Sequence, residues 1–264
     1  MNIIFYWTAV LALVILVFTK SVAIEEKKIV DAKAFHNRKL GASARELLND
    51  EIYKSLTVEI QYMKGFKPRQ ETVNQLSIFL NKYLNKPKGI NIVLKEIRRR
   101  KNTALTMDSV VAIEKANRSQ FVKDDHTAIY ILFTNSRHAD KKILGTAYRN
   151  TSAVIFGKAI RENSNVSGKL TLQELETAVL LHETGHLLGL VNKGSMAGSN
   201  HVDYDYADHC TNKKCLMYHA TETKKLSSIL IKGKVPDLDS NCVADLVANG
   251  GKHQLPFKPF LRPF

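Results

Sequence analysis

Apolar and polar residues alternate along Leu56-Thr57-Val58-Glu59-Ile60-Gln61-Tyr62-Met63. Period two in a stretch rich in β-formers predicts a strand. Gly65 and Pro68 end it, and the period then changes. From Thr72 to Leu84 the apolar positions Val73, Leu76, Ile78, Phe79, Leu80 and Tyr83 follow helical spacing, which predicts an amphipathic helix. Pro87 and Gly89 close it, and Ile90-Asn91-Ile92-Val93-Leu94 predicts a second strand. Strand, helix and strand at this spacing make a βαβ unit with parallel strands and a right-handed crossover. Thr127 to Phe133 is continuously apolar and predicts a strand buried on both faces. Gly145–Tyr148 and Ala153–Phe156 flank the turn-like Arg149-Asn150-Thr151 and predict two more strands.

Three helices complete the pattern. Ser43 to Leu48 predicts a short one, with Ser43 as cap and Glu46 as its capping-box partner. Thr171-Leu172-Gln173-Glu174 has the capping-box form and opens a helix that runs to Leu188, with Gly189 as its stop. Asp237 to Ala248 predicts a last helix, capped by Asp237 or Asp239 and ended by Gly250-Gly251. Between the second and third helices the chain is polar and irregular up to Cys215.

The first residues differ from all of this. Ile3 to Phe18 is uninterrupted apolar sequence without charge. Such a run at the N-terminus is a secretion signal or a membrane anchor. Ser21-Val22-Ala23 offers small residues for cleavage, while the stretch before the run lacks a positive charge, so both readings stand. Either places the domain outside the cytoplasm. The expected organisation is a signal or anchor over 1–23, a tether over 24–52, one catalytic domain over 53–250 and a Pro-punctuated tail over 251–264. The formal net charge of +14 suggests an anionic surface as a partner, such as a membrane or cell envelope. No nucleic-acid reader motif accompanies it, and no nucleic-acid partner is expected.

Candidate chemistry concentrates in the second helix. His182 and His186 lie four residues apart, on one face and one turn from each other, able to share a metal ion. Glu183 is placed to act on a water at that metal. Zinc lowers the pKa of such a water toward about 7, and the carboxylate accepts its proton as a carbonyl is attacked. The opposite face is expected to be apolar, with Val179, Leu180 and Leu187. Catalytic zinc needs a third protein ligand. His201, His209 and Asn192 all follow in the irregular stretch. Cys210 and Cys215 read as a disulfide in an oxidising compartment or as zinc ligands in a reducing one, with Cys242 left over.

His182-Glu183-Thr184-Gly185-His186-Leu187-Leu188-Gly189 resembles the start of the metzincin signature. The third ligand of that pattern falls at Asn192, which is a departure. His209-Cys210, then Cys215-Leu216-Met217, resembles the corresponding stretch of archaemetzincins. The resemblance covers most of Ser43 to Ala248 and extends to a group of bacterial exported or membrane-associated metalloproteases. It implies His209 as third ligand, ahead of His201 and Asn192, and Met217 as the Met-turn beneath the metal. It implies a metzincin-like α/β domain: a mixed, mainly parallel twisted sheet, a backing helix, an active-site helix, the Met-turn and a C-terminal helix. Gly145–Tyr148 resembles the edge strand above the cleft, where a substrate adds as a strand. The implied activity is a zinc endopeptidase acting on protein or peptide, with Glu183 as base and His182, His186 and His209 on one catalytic zinc. Archaemetzincins hold a second, structural zinc on further cysteines, including a CxxC pair. Here only Cys242 remains, so a Cys210–Cys215 disulfide is expected instead of a second ion. The alternatives are a zinc amidase of cell-wall or other non-peptide substrates, and a non-catalytic binding protein that keeps the fold.

Overall fold

A computed structural model describes residues 31–164, 171–194, 198, 200–222 and 234–253. The apolar Ile3–Phe18 run and the tail from 254 lie outside the described residues. No helix among the described residues is long and apolar enough to cross a membrane.

Five strands form one sheet: β1 (Ser55–Met63), β2 (Ile90–Ile97), β4 (His126–Phe133), β6 (Gly145–Arg149) and β7 (Ser152–Ile155). Their order is β2-β1-β4-β7-β6. All neighbours are parallel except β6, which runs antiparallel to β7 and forms one edge. The central strands β1 and β4 are buried almost throughout, as strands covered on both faces must be. A two-stranded ribbon, β3 (Ala104–Leu105) with β5 (Arg137–His138), lies apart from the main sheet.

The helices are α1 (Ala44–Leu48), α2 (Gln70–Tyr83), α3 (Met107–Asn117), α4 (Gly157–Asn163), α5 (Leu172–Leu187) and α6 (Ser240–Ala248). Helix α2 is the crossover between β1 and β2 and packs on α5, where the Thr72 and Thr177 hydroxyls bond at 3.0 Å. Helix α5 also packs on β6 and β7. It is not amphipathic in the expected sense: every residue from Leu175 to Leu187 is buried. An all-round buried helix sits inside the fold rather than on its surface.

Two expectations fail on tertiary grounds. Ser43 precedes α1 but makes no side-chain cap. Its hydroxyl instead accepts from Asn150 Nδ2 at 2.8 Å, and Glu46 pairs with Arg38. Residues 31–52, read as a tether, pack on the domain: Phe35, His36, Leu47 and Leu48 are all buried.

The β6–β7 hairpin is fixed from one side by a buried charge. Glu114 of α3 accepts from Tyr148 Oη at 3.0 Å on β6 and from Ser152 Oγ at 2.6 Å on β7. It also pairs with the buried Arg118 at 2.8 Å. A β-bulge between Ala147 and Arg149 shifts the register at Tyr148.

Candidate metal centre

Helix α5 starts cleanly. Thr171 Oγ1 accepts from Glu174 N, and the Glu174 carboxylate accepts from Thr171 N. The capping box fixes the start, and the helical period then sets His182 and His186 one turn apart. Their Nε2 atoms face each other at 3.1 Å. His182 Nδ1 donates to Leu216 O at 2.7 Å, so its Nε2 carries the lone pair.

The chain leaves α5 through a turn. Gly189 has φ +84°, and its N–H donates to His186 O at 3.0 Å. Val191 and Asn192 also take positive φ, and the loop then returns to α5. Short backbone bonds pin the returning chain. Asp203 N donates to His209 O at 2.7 Å, Thr211 N to His201 O at 2.9 Å and Cys210 N to Met217 O at 2.8 Å. This brings His209 onto the helix. Its ring stacks on that of His182 with centroids 5.3 Å apart, and its Nδ1 faces Ala207 O at 3.0 Å.

One ligand atom each from His182, His186 and His209 therefore lies within 4.8 Å of the others, all buried. Nitrogens held about 2.0–2.1 Å from a tetrahedral zinc lie about 3.4 Å apart. The 3.1 Å spacing of His182 and His186 is close to that. Burial and the neighbouring imidazoles of His182 and His209 hold His186 well below the usual histidine range. A neutral imidazole is the form that binds a metal. The donor set fits a zinc ion. Met217 is fully buried, and a Cβ on Gly185 of α5 would collide with its thioether. His201 belongs to a different group. His219 stacks on Tyr206 with centroids 3.6 Å apart.

Glu183 turns toward the sheet edge. Its Oε2 accepts from Ala147 N of β6 at 2.6 Å. Gly145 of β6 packs on its stem: a Cβ there would come within 2.9 Å of Glu183 Cγ. A cleft of about 210 Å³ opens over Glu183, His186 and His209, between Ala147 on one side and Lys193 and Asp208 on the other. A larger cavity of about 890 Å³ lies between residues 31–38 and Ser119–Asp124. No potential metal-binding group among the described residues lines it, so its size does not make it the reactive site.

A second buried cluster brings Cys242 and His201 to the Cys210 region, a grouping absent from the sequence expectations. The three cysteines are free thiols, not a Cys210–Cys215 disulfide, and they share one site. Cys215 Sγ lies 3.6 Å from Cys242 Sγ, and Cys242 Sγ lies 3.9 Å from His201 Nδ1. Ligand atoms of His201, Cys210, Cys242 and Asp239 fall within 4.8 Å of one another. Thiolates about 2.3 Å from a tetrahedral zinc lie about 3.8 Å apart, whereas disulfide sulfurs lie about 2.05 Å apart. The observed spacing matches the first. Met217 N and Asp239 N both donate to Cys215 Sγ at 3.4 Å. Hydrogen bonds from the Cys210 and Cys242 thiols pull Cys215 down to about 4. The same sharing pushes Cys210 up to about 11. His201 Nε2 meets Asp245 Oδ2 at 2.7 Å, which turns Nδ1 toward the thiols. The signal available in the sequence was an odd cysteine in α6 and a spare histidine in the loop, too far apart for any local spacing rule.

No protein-family model matches the chain, and no curated protein matches it. Among solved structures, the fold is similar to that of archaemetzincin (amzA) from Methanopyrus kandleri. The likeness has a TM-score of 0.51 at 14% identity and covers 74% of this chain and 96% of that one. The mixed α/β domain with its mainly parallel sheet thus has an archaemetzincin-like fold.

Proposed function

We propose that this chain is a zinc-dependent peptidase, with His182, His186 and His209 as the metal ligands and Glu183 as the general base. One observation carries the reading: three buried imidazoles converge beside a carboxylate, at the mouth of a cleft under an edge strand. Zinc, when bound there, supplies Lewis-acid polarisation of water and carbonyl. The remaining work belongs to the chain. Glu183 takes a proton from the attacking water and returns it to the leaving amine. Its bond to Ala147 N holds the carboxylate at the edge of the sheet, where a substrate would lie. Among the described residues the outer side of β6 has no strand partner in the sheet, which suits an extended peptide added as a further strand. Met217, packed against Gly185, is the floor that the resemblance to the Met-turn implies.

A second ion is favoured by the other cluster. His201, Cys210, Cys242 and Asp239 offer four ligand atoms to one such ion, and Cys215 lies beside them with its Sγ 3.6 Å from Cys242 Sγ. The ion would tie the loop that carries His209 to α6. The apolar Ile3–Phe18 run supports an exported or membrane-anchored domain, which cell fractionation tests.

The test is a panel of peptide and non-peptide amides, with metal counted in each preparation. Peptide cleavage abolished by chelation and by Glu183→Gln, with zinc retained in Glu183→Gln, is expected. Cleavage of cell-wall amides alone would favour the amidase reading. Full activity in Glu183→Gln would sink the assignment of the base.

A further inference from the structure

Residues 35–43 form a strap that reaches the metal cleft at Leu40, and both ends are tied to one residue. Asn150, in the turn between β6 and β7, donates from Nδ2 to Phe35 O and to Ser43 Oγ, each at 2.8 Å. Its backbone N donates to Arg38 O at 3.2 Å. Asn150, Phe35 and Ser43 are all buried. On the far side, Gly41 has φ +77° and its backbone packs face to face on Lys193 and Gly194, in the loop that follows the metal helix. A side chain at Gly41 would collide with Lys193 O. The strap therefore bridges the sheet edge and the loop, and Leu40 sits between the two anchors.

Leu40 lines the cleft together with Thr146, Ala147, Glu183, His186 and His209. Lys193 and Asp208 stand at the rim, but they are paired with each other at 2.5 Å. Their charges are spent on one another rather than on an incoming group. Size is left as the selecting property. At about 210 Å³ the cleft is smaller than the ~300–1,000 Å³ that ordinary ligand pockets offer.

We propose that Leu40 is the specificity-determining wall of this cleft, so that the residue of a peptide lying against it must be small. The proposal rests on the metal reading above and deepens it. Leu40 is partly buried and packs against the edge of the core, so circular dichroism of each Leu40 variant checks the fold alongside the binding ratio.

The experiment measures binding of two metal-directed probes to the zinc-loaded chain by calorimetry: N-acetyl-glycyl hydroxamate and N-acetyl-phenylalanyl hydroxamate. The parent chain is expected to prefer the glycyl probe. Leu40→Ala should shift that preference toward the phenylalanyl probe by about tenfold or more, the discrimination that a methylene or two gives in an apolar pocket. Leu40→Trp should sharpen the original preference. An unchanged ratio in both variants overturns the proposal, as does a parallel change in both probes. If neither probe binds the zinc-loaded parent, the metal reading falls. If both bind and the ratio stays fixed, only the assignment of Leu40 falls.

Discussion

The backbone N–H of Ala147 donates to Oε2 of Glu183 at 2.6 Å, which joins the middle of α5 to the free edge of the sheet. This contact needs a glycine two residues earlier. A Cβ at Gly145 would come within 2.6 Å of Val179 Cγ1 and 2.9 Å of Glu183 Cγ. Both neighbours lie in the buried helix and cannot swing away. Gly145→Ala should therefore push the carboxylate off its position while leaving the three histidines in place. A displacement of about 1 Å costs roughly 10²-fold in rate. We expect kcat/KM to fall by about that factor with zinc content unchanged, read by steady-state kinetics and metal analysis on the same sample. Parental kcat/KM would show that the base does not depend on β6.

The second cluster makes a separate claim on α6. Asp245 accepts from His201 Nε2 at 2.7 Å and from Gly198 N at 2.8 Å. It holds the imidazole with Nδ1 toward Cys242. Carboxylates in this place typically contribute about 10–100-fold to metal affinity. Asp245→Asn should weaken one of two bound zinc ions by that factor and leave the other unaffected, as measured by competition with a chromogenic chelator. Two ions lost in parallel, or neither weakened, would contradict a separate site on His201, Cys210 and Cys242.

What could be seen in the sequence follows from how local each interaction is. Helix α5 was legible because its capping box and histidine spacing lie within adjacent turns. The strands β1, β2, β4, β6 and β7 were legible from alternation or unbroken apolarity. Helix α3 was missed: it buries only Val110, Ile113 and Glu114, too little for a periodic signal. Helix α4 was missed because it begins two residues after β7, inside one apolar stretch. The cap expected at Ser43 lost to a distant partner, Asn150, which no local rule reveals. His209 could be singled out only through resemblance, since a loop carries it back to α5. The grouping of His201 with Cys210, Cys242 and Asp239 depends on α6 docking against that loop, and the free thiols replace the expected disulfide.

Lys86 is a buried lysine that serves the backbone. Its Nζ donates to Glu46 O at 2.9 Å, to Tyr53 O at 2.7 Å and to Asn49 O. These carbonyls belong to the end of α1 and the approach to β1, where no helical partner remains. Lys86→Met keeps the stem and removes the donors. Buried carbonyls left unsatisfied cost about 1–3 kcal/mol, so we expect a loss of that order in a urea titration. A change below about 0.5 kcal/mol, the usual range for surface substitutions, would mean that water replaces the ammonium group.

His36 gives the fold an acid sensitivity unrelated to the metal. Its Nε2 accepts from Val122 N at 2.9 Å, and its Nδ1 lies 2.7 Å from Thr151 Oγ1 and 2.8 Å from the Arg118 guanidinium. Protonating Nε2 would break the Val122 bond and set a cation beside the Arg118 guanidinium, 2.8 Å away. Burial, then Arg118 and Arg38, lower the His36 pKa from 6.5 to about 2. The unfolded chain binds the proton more readily than the folded one between these values. Stability therefore rises with pH across that window and is lost as pH falls below about 6.5. Urea midpoints should decline from pH 7 to pH 5, and the decline should be shallower in His36→Gln, which has no proton to take up there. Equal slopes in the two chains would assign the acid sensitivity to other groups.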